Sequence, residues 1–397
     1  MAAPAPAPLA GVRVLDLSRL LPGPFASLVL ADMGAQVDKV EDVSGGDYLR
    51  HMPPLVPGNE PDGVATSGMF LALNRNKRSA SLDLKKPAAR DALLRMVSQY
   101  DVLLEQFRPG VLDRLGLSHA TLRTKNPRLV VCALTGYGQT GPLAHRAGHD
   151  INYLARAGVL GFQGPADGPP QVPGFQLADV SGGLWSVIGI LAALQSRATT
   201  GEGSIVDVSM VESSLGFAAA GFGALFGGQA PERGNDALSG GLAGYATYAT
   251  KDDQAMSLGA LEPKFWLQFC QGVGLEPDMG GMMPGPHQVA LKARVAEIFR
   301  GKTRAEWEAF ALERDCCMEP VLTPAEVTRD AHLAARGVFF DMPSPWGTLP
   351  QFNTPLTPRD RTHTPPPRQG EHTADLLREA GYTDAEIAAL RADKAIA

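Results

Sequence analysis

The feature that most constrains this 397-residue chain is a series of short strand patterns separated by helical patterns. Residues 12–17 and 36–41 each have the length of a buried strand, and a Pro-Gly-Pro sequence at 22–24 opens a helical stretch between them. Further strand patterns occupy residues 79–84, 102–107, 128–134 and 204–209. Because buried strands that alternate with helices form parallel, doubly wound sheets, we predict an α/β fold around a mainly parallel sheet.

The second half of the chain has a different sequence pattern. After about residue 225 a glycine-rich stretch gives way to helices, and capping boxes mark three of the helix starts, at Thr303, Thr323 and Thr383. Residues 342–367 contain eight prolines and are therefore expected to be extended. We predict a large domain over 1–220, a small domain over 221–335, and an extended connector with a C-terminal helix at 384–392, which together span 336–397 and return to the large domain.

Composition and hydropathy argue against two classes of partner. The chain has 36 basic and 42 acidic residues and a net charge of −6, which argues against a nucleic-acid binder, because such a protein would carry a basic face. The apolar stretches at 183–195 and 215–228 are too short or too glycine-rich for the roughly 20 residues of a membrane span. Residues 1–10 form a Pro-rich tail without the apolar core of a signal peptide. We expect neither a nucleic-acid partner nor a membrane.

The sequence also gives little indication of a metal site. The four cysteines lack the spacing of metal ligands and are expected to be reduced thiols in a cytoplasmic protein: Cys132, Cys270, Cys316 and Cys317. His145, His149 and Asp150 are close in sequence, but Pro142 and Gly148 interrupt the helical spacing that would direct two imidazoles at one ion. We therefore expect no bound metal.

Residues 136–141, Gly-Tyr-Gly-Gln-Thr-Gly, match the spacing of a dinucleotide-binding fingerprint after a strand. That fingerprint also needs a helix N-terminus and an acidic residue about twenty residues further on, whereas Pro142 and a glycine-broken segment follow here. We interpret the motif as a flexible loop at the carboxyl end of a strand, which is still a suitable place for a ligand.

Residues 74–78, Asn-Arg-Asn-Lys-Arg, form the densest basic cluster of the chain and immediately precede a strand. Such a run is usually a solvated turn, and its functional interpretation is capture of a phosphate group by Arg75 and Lys77. Other basic residues lie near strand ends that could converge on it: Lys85, Lys86, Arg108 and Arg114. The residues alone leave both interpretations open.

His149, Asp179 and Glu262 are the strongest candidates for catalytic residues. His149 follows a glycine in the loop after the fifth predicted strand, and Asp179 precedes an apolar helix predicted over 180–196. An aspartate there is most often an N-cap that accepts a backbone N–H, and the alternative is acid/base chemistry together with the histidine. Glu262 precedes Pro263 at another helix start, where the helix dipole alone would favour a carboxylate.

An ordered series of short segments runs through nearly the whole chain: LPGP at 21–24, NKRS at 76–79, LDLK at 82–85, FRPGV at 107–111, NPRL at 126–129, TGYGQTGP at 135–142, GHDINY at 148–153, GALEP at 259–263 and GEHT at 370–373. With this series the chain resembles the family III CoA-transferases of the CaiB/BaiF type, and within that superfamily most closely the α-methylacyl-CoA racemases. So long an ordered series is a strong signal for the superfamily.

The resemblance implies a large Rossmann-like domain built from both ends of the chain, a smaller α+β domain from the middle, and an interlocked homodimer. It also implies an acyl-CoA substrate and no cofactor beyond that CoA thioester. An arginine common in the family after the second strand is Asp42 here, for which Lys39 and Arg75 could compensate. Family CoA contacts carry over to Leu82, Asp83, Leu84, Lys85, Gln106, Phe107, Arg108, Pro109, Gly110, Val111, Arg114, Gly148, Asp150, Ile151, Asn152 and Tyr153.

The resemblance leaves two reactions open. In the racemases the residues matching His149 and Asp179 exchange a proton with C2 of the acyl group through a thioester enolate, and the residue matching Glu262 is held near the histidine. In the transferases the residue matching Asp179 is a nucleophile that becomes an aspartyl-CoA thioester. Because many transferases have tyrosine where His149 stands, we favour an isomerase, a 2-methylacyl-CoA racemase, with the CoA-transferase as the alternative. A dehydrogenase and a pure CoA-binding protein are more distant alternatives.

Overall fold

The computed structural model describes residues 7–59, 63–277 and 279–397, so residues 1–6 of the predicted Pro-rich tail lie outside the described residues. The chain divides into two compact units. The first unit comprises Met1–Leu154, Phe175–Ser214 and His332–Ala397, and the second comprises Ala155–Gly174 and Leu215–Ala331. Residues 155–174 thus group with the second unit, whereas the sequence analysis places them in the large domain.

The strands of the described chain are β1 Arg13–Asp16, β2 Gln36–Glu41, β3 Leu55–Val56, β4 Thr66–Ser67, β5 Lys77–Ser81, β6 Val102–Glu105, β7 Val130–Thr135, β8 Ile205–Ser209, β9 Tyr245–Ala249, β10 Ala255–Gly259, β11 Met318–Pro320, β12 Phe339–Ser344 and β13 Gly347–Phe352.

The α-helices are α1 Pro22–Asp32, α2 Gly68–Leu73, α3 Pro87–Val97, α4 Val111–Arg114, α5 His119–Lys125, α6 Asp150–Arg156, α7 Leu177–Thr200, α8 Met210–Leu215, α9 Ala219–Phe226, α10 Pro263–Val273, α11 His287–Arg300, α12 Arg304–Glu313, α13 Pro324–Val327, α14 Ala331–Ala335, α15 Thr373–Glu379 and α16 Asp384–Ala392. Short 3₁₀ turns occupy Tyr48–His51, Val159–Phe162, Gly216–Ala218 and Met279–Met282.

The first unit is built on a six-stranded sheet in the order β5-β2-β1-β6-β7-β8. Each neighbouring pair is parallel, which confirms the predicted mainly parallel α/β fold. The strand order reverses between β1 and β6, because the chain continues from β1 to one side of the sheet and from β6 to the other. In parallel sheets, ligands bind outside the carboxyl ends of the strands at such a switch point. We therefore expect the ligand site at the loops that follow β1 and β6.

Two helices pack together over one face of this sheet. Helix α1 is buried over almost its whole length and contacts both the sheet and α7. The approach of the two helices is close at Gly183 of α7, where an added Cβ would lie only 2.8 Å from the carbonyl oxygen of Pro22. A glycine at this position lets α7 lie against α1, and the contact fixes the first turns of both helices at the carboxyl edge of the sheet.

The first part of the proline-rich connector, which is predicted to be extended, lies in β-strands. Strands β12 and β13 form an antiparallel hairpin in which Phe339 pairs with Phe352. Prolines fit here because both strands of an isolated hairpin are edge strands, where a missing N–H costs no internal hydrogen bond. Beyond the connector, α16 spans the predicted residues 384–392 and begins at the capping box of Thr383. Its Ile387 and Leu390 join the core of the first unit.

The second unit has its own core. Its sheet is antiparallel, in the order β11-β10-β9, and helices α10, α11 and α12 pack on it through a cluster of aromatic side chains. Trp266, Phe269, Phe299 and Trp307 are all buried there. The predicted capping box at Thr303 is present at the start of α12.

Helix α7 has 24 residues and, by length and composition alone, is long and apolar enough to cross a membrane. This corrects the prediction that its apolar stretch is too short. The helix packs against α1, β7 and β8, while Leu184, Trp185 and Ile188 on its other side are exposed. The first unit thus presents an apolar stripe, formed by these three residues, that its own core does not cover.

Candidate active site

A cleft opens at the carboxyl edge of the parallel sheet, between the loops after β1, β6 and β7 and the first turn of α7. We call it the central cleft; it is lined by Arg19, Leu20, Pro22, Gln106, Phe107, Arg108, Pro109, Leu134, Thr135, Gly136, Ala144, Arg146, Ala147, Gly148, His149, Tyr153, Asp179 and Met210. His149 and Asp179, which are 30 residues apart in sequence, lie on the wall of this one cleft.

Asp179 is not the N-cap of its helix. Helix α7 begins two residues earlier, at Leu177, and its exposed N–H groups are satisfied by another carboxylate. Asp150 Oδ1 accepts the backbone N–H of Ala178 at 2.7 Å and that of Asp179 at 3.0 Å. The Asp179 carboxylate is therefore free of the capping role that its position suggested, and within the described part of the chain it has no hydrogen-bond partner.

Burial raises the pKa of the Asp179 carboxyl group to about 7, and the negative charge of Asp150 adds to the effect. A carboxyl group with this pKa exchanges a proton near neutral pH, where an ordinary aspartate stays ionised. Perturbed carboxyl groups in clefts are typical of acid/base or nucleophilic sites. Asp179 therefore has the electrostatic surroundings of a reacting group.

The raised pKa predicts a pH-dependent gain of stability in Asp179→Asn. The folded protein holds this proton up to about pH 7, whereas the unfolded chain releases it near 3.8, so stability falls as the pH rises through that window. Asparagine does not ionise, so this loss of stability does not occur in the variant. We expect the variant and the parent to melt alike at pH 4, and the variant to melt roughly 2–4 °C higher at pH 8. Replacing the exposed Asp91 of α3 with asparagine is the control, and a difference that does not vary with pH would contradict the raised pKa.

The backbone around His149 is fixed while its imidazole is exposed to the cleft. The His149 N–H donates to Asn152 Oδ1 at 3.0 Å, and its carbonyl accepts the Asn152 N–H at 2.8 Å. The Tyr153 hydroxyl donates to the carbonyl of Gly148 at 2.6 Å. An added Cβ at Gly136 or Gly148 would lie 2.4 or 2.7 Å from the Tyr153 ring, so both loops need glycine to close around it. Tyr153 thereby clamps the loop that presents His149.

The loop that carries the Gly-Tyr-Gly-Gln-Thr-Gly motif runs without a helix from residue 136 to 149, so the dinucleotide fingerprint lacks its helix here. The loop instead forms part of the central cleft through Gly136.

A second cavity adjoins the central cleft on the other side of the loop that follows β1. We call it the slot; its lining residues are Leu17, Ser18, Arg19, Val40, Glu41, Asp42, Gly46, Tyr48, Leu82, Asp83, Leu84, Lys85, Phe107, Val111 and Leu115. Arg19 and Phe107 line both cavities. The slot thus collects six of the predicted CoA-binding residues.

The other predicted CoA-binding residues are spread more widely. Gln106, Arg108, Pro109, Gly148 and Tyr153 line the central cleft. Gly110 lines another pocket next to Arg108 and Pro109, and Arg114 and Ile151 are exposed. Asp150 and Asn152 are engaged in the hydrogen bonds that hold α7 and His149.

The structure corrects the assignment of Arg75 to a phosphate site. Its guanidinium is fully buried, forms an ion pair with Asp32, and donates to Gln351 Oε1 at 3.0 Å and to the carbonyl of Phe352 at 2.9 Å. Arg75 therefore attaches the β12-β13 hairpin to α1 and cannot reach a ligand.

Lys77 and Lys39 are buried as well. Lys77 Nζ donates to the carbonyl of Pro24 and to Asn74 Oδ1, both at 2.9 Å, and burial lowers its pKa to about 7. Lys39 Nζ lies 3.0 Å from Asp47 in an ion pair with almost no exposure. The assignment of Lys77 to a CoA phosphate is therefore corrected, and neither Lys39 nor Arg75 can compensate for Asp42.

The residue that the sequence analysis missed is Arg19. It lies three residues after the end of β1, in the loop at the switch point of the sheet, and this position is the signal that could have identified it. Glu262 was predicted as a catalytic residue and is the residue before α10 in the second unit, so its role stays a prediction. Among the described residues, no three His, Cys, Asp or Glu side chains are grouped to hold a metal ion.

This chain is similar to known proteins over nearly its whole length. A family model described as CoA-transferase family III matches residues 9–373. The α-methylacyl-CoA racemase of Homo sapiens is 38% identical over 398 residues, which cover 98% of this chain and 97% of the racemase. The succinate–glutarate CoA-transferase of Agrobacterium fabrum is 34% identical over 386 residues, 94% of this chain and 95% of the transferase. The crystal structure of a CAIB/BAIF family protein from Brucella suis matches with a TM-score of 0.83 and 31% identity, covering 95% of this chain and 100% of that one.

Proposed function

Because this chain belongs to CoA-transferase family III, we propose that it binds acyl-CoA thioesters and interconverts the two C2 epimers of a 2-methylacyl-CoA. The observation that supports this most is the pairing of two different acid/base groups in one cleft. Asp179 has a pKa raised to about 7, and the imidazole of His149 has no hydrogen-bond partner among the described side chains. The similarity to α-methylacyl-CoA racemases over almost the entire chain agrees with this proposal.

In the proposed reaction, one of the two groups removes the proton from C2 of the thioester. The electron pair moves into the carbonyl to give an enolate, and the other group then donates a proton to C2 from the opposite face. The thioester makes C2 more acidic than it would be in a free acid. The amino end of α7 lies at the cleft, where the helix dipole favours the negative charge of the enolate. The reaction needs no cofactor beyond the CoA thioester itself.

Glu262 is part of this proposal as the residue that orients His149, on the strength of the resemblance. Replacing it with glutamine keeps its size and removes its charge. If it orients the imidazole, the variant should lower kcat for epimerisation while KM for the acyl-CoA stays close to that of the parent.

The second candidate function is transfer of CoA between carboxylic acids. The buried, unpartnered carboxylate of Asp179 also suits a nucleophile, and succinate–glutarate CoA-transferase is among the relatives. The two functions separate in one assay that supplies a 2-methylacyl-CoA and a labelled carboxylic acid. Epimerisation without label in the CoA pool supports the racemase. Labelled acyl-CoA, together with inactivation by hydroxylamine only after acyl-CoA is added, would show that Asp179 is a nucleophile and overturn the racemase proposal.

The slot and the central cleft together offer a site for the two ends of CoA. The slot has an apolar floor for a planar base, and the cleft holds the reacting groups. CoA should then raise the melting temperature, as a ligand selective for the folded protein must. A shift with NADH and none at millimolar CoA would contradict this assignment.

We also propose a homodimer, with the apolar stripe of Leu184, Trp185 and Ile188 on α7 covered by a second copy rather than by lipid. Sedimentation at low concentration should show a dimer. The variant Trp185→Glu should weaken it, because a charge at a desolvated interface costs several kcal/mol. A folded monomer in the parent, or binding of the parent to lipid vesicles, would refute the proposal. The cytoplasmic location also remains a proposal, consistent with four free cysteines.

A further inference from the structure

We propose that Arg19 binds the diphosphate of the CoA thioester at the junction of the slot and the central cleft. This inference rests on the proposed function, since it names how the acyl-CoA spans the two cavities. It starts from the fact that Arg19 and Phe107 are the residues common to the two linings.

A ligand that occupies both cavities must pass between Arg19 and Phe107. If the base lies in the apolar slot and the thioester lies beside His149 and Asp179, the part of CoA at the junction is the part that follows the ribose. That part is the diphosphate, with the pantetheine arm beyond it. A guanidinium suits a diphosphate because its fork donates two parallel hydrogen bonds to phosphate oxygens.

The side chain of Arg19 is held in place without being neutralised. Its guanidinium stacks on the Tyr48 ring at 4.6 Å from the ring centroid. Among the described residues no carboxylate lies within ion-pair distance of it, although hydrogen bonds from Ser44 and, to a smaller extent, the charge of Arg19 hold the pKa of the Asp42 carboxyl group below its usual range. A cation that is fixed by stacking and has no carboxylate in direct contact is prepared for an anionic ligand.

The backbone on both sides of Arg19 is anchored by buried side chains. The Ser18 carbonyl accepts Lys39 Nζ at 2.6 Å, and the Leu20 N–H donates to Asp47 Oδ1 at 3.0 Å. Leu20 has φ of 65°, a left-handed conformation that costs a non-glycine residue free energy and is concentrated at functional sites. The buried Lys39–Asp47 ion pair thus holds the loop in a strained shape that directs Arg19 to the junction.

The other charges at the mouth of the slot are Lys85 and Asp42. Lys85 is exposed and supplies a second cation. Asp42 accepts hydrogen bonds from the N–H and hydroxyl of Ser44 and carries a negative charge toward the same space. The negative charge of Asp42 opposes phosphate binding. Binding of the diphosphate should therefore depend more on Arg19 in this chain than it would if position 42 were an arginine.

The test compares the affinities of CoA and dephospho-CoA, which share the diphosphate and differ only in the 3′-phosphate. Isothermal titration of the full-length protein should show that Arg19→Gln weakens both ligands by the same factor, roughly 10- to 100-fold. Arg19→Lys, which keeps the charge and loses the fork, should lie between the variant and the parent. Arg391→Gln, on an exposed part of α16, is the matched control and should bind both ligands as the parent does.

Two neighbouring substitutions keep the inference testable if Arg19→Gln does not fold. Tyr48→Ala removes the ring under the guanidinium and should weaken the binding of both ligands. Asp42→Asn should tighten both, by roughly threefold, because it removes a charge opposed to the phosphates.

Three outcomes would overturn the inference. A loss confined to CoA would assign Arg19 to the 3′-phosphate, and unchanged affinities would make it a surface cation. An effect only on the KM of an added carboxylic acid would assign it to the acceptor of a transfer reaction. A parent protein that binds neither ligand would instead refute the proposed function, which keeps the two failures distinct.

Discussion

Replacing Asp179 with asparagine is expected to lower kcat/KM for epimerisation of a 2-methylacyl-CoA by roughly 10²–10⁴-fold. The substitution keeps the size of the side chain and leaves the backbone N–H bonds to Asp150 in place, so it removes the proton transfer and little else. The rate is followed by chiral chromatography from each epimer in turn. The affinity for CoA should change little, since the loss lies in the reaction step.

The pH profile of this reaction gives the matched comparison. When Asp179 removes the C2 proton, its carboxyl group must be ionised, so activity falls on the acid side as the pH drops below the pKa of this group. Asp150→Asn keeps an oxygen that can cap α7 but removes the charge that helps to raise the pKa of Asp179. Its acid limb should therefore move to lower pH. An unmoved limb, or an Asp179→Asn variant that retains more than a tenth of the activity, would remove Asp179 from the mechanism.

Replacing His149 with alanine should likewise abolish epimerisation, by roughly 10²–10⁴-fold, because inversion needs a proton donor on the face opposite to the base. Helix α6 should remain, since both hydrogen bonds between residues 149 and 152 use only the backbone of His149 and not its imidazole. Both variants and both epimers are measured in the same chiral assay.

His145→Ala is the control for this substitution. His145 is on the same loop and exposed, but it does not line the central cleft, so its loss should leave the rate unchanged. If His149→Ala epimerises normally, the histidine is a loop residue. If the same variant transfers CoA to an added acid at the parent's rate, the chain works as a transferase.

The parallel sheet was predictable because its strands leave an unambiguous local pattern. The six residues of β7 are all buried, and five of them are apolar, as expected for a strand that is covered on both faces. The helix-start signals at Thr303 and Thr383 were equally local, since each threonine and its glutamate satisfy one another within one turn.

The roles of charged residues depend on partners that are remote in sequence. Arg75 is neutralised by Asp32 and hydrogen-bonded to a hairpin more than 270 residues further along the chain, so nothing in residues 74–78 indicates that it is buried. Asp179 could be taken for an N-cap because its competitor, Asp150, caps the helix from 28 residues away. Both cases concern the pairing of charges in three dimensions, which local propensity does not encode.

The most direct test of proton exchange at C2 is incubation of one 2-methylacyl-CoA epimer in D₂O with no carboxylic acid acceptor present. The proposal predicts formation of the other epimer with solvent deuterium at C2, observed by mass spectrometry and proton NMR, and loss of both signals in Asp179→Asn and in His149→Ala. A substrate that keeps its C2 proton and configuration with the parent protein, while CoA moves to an acid added afterwards, would contradict it.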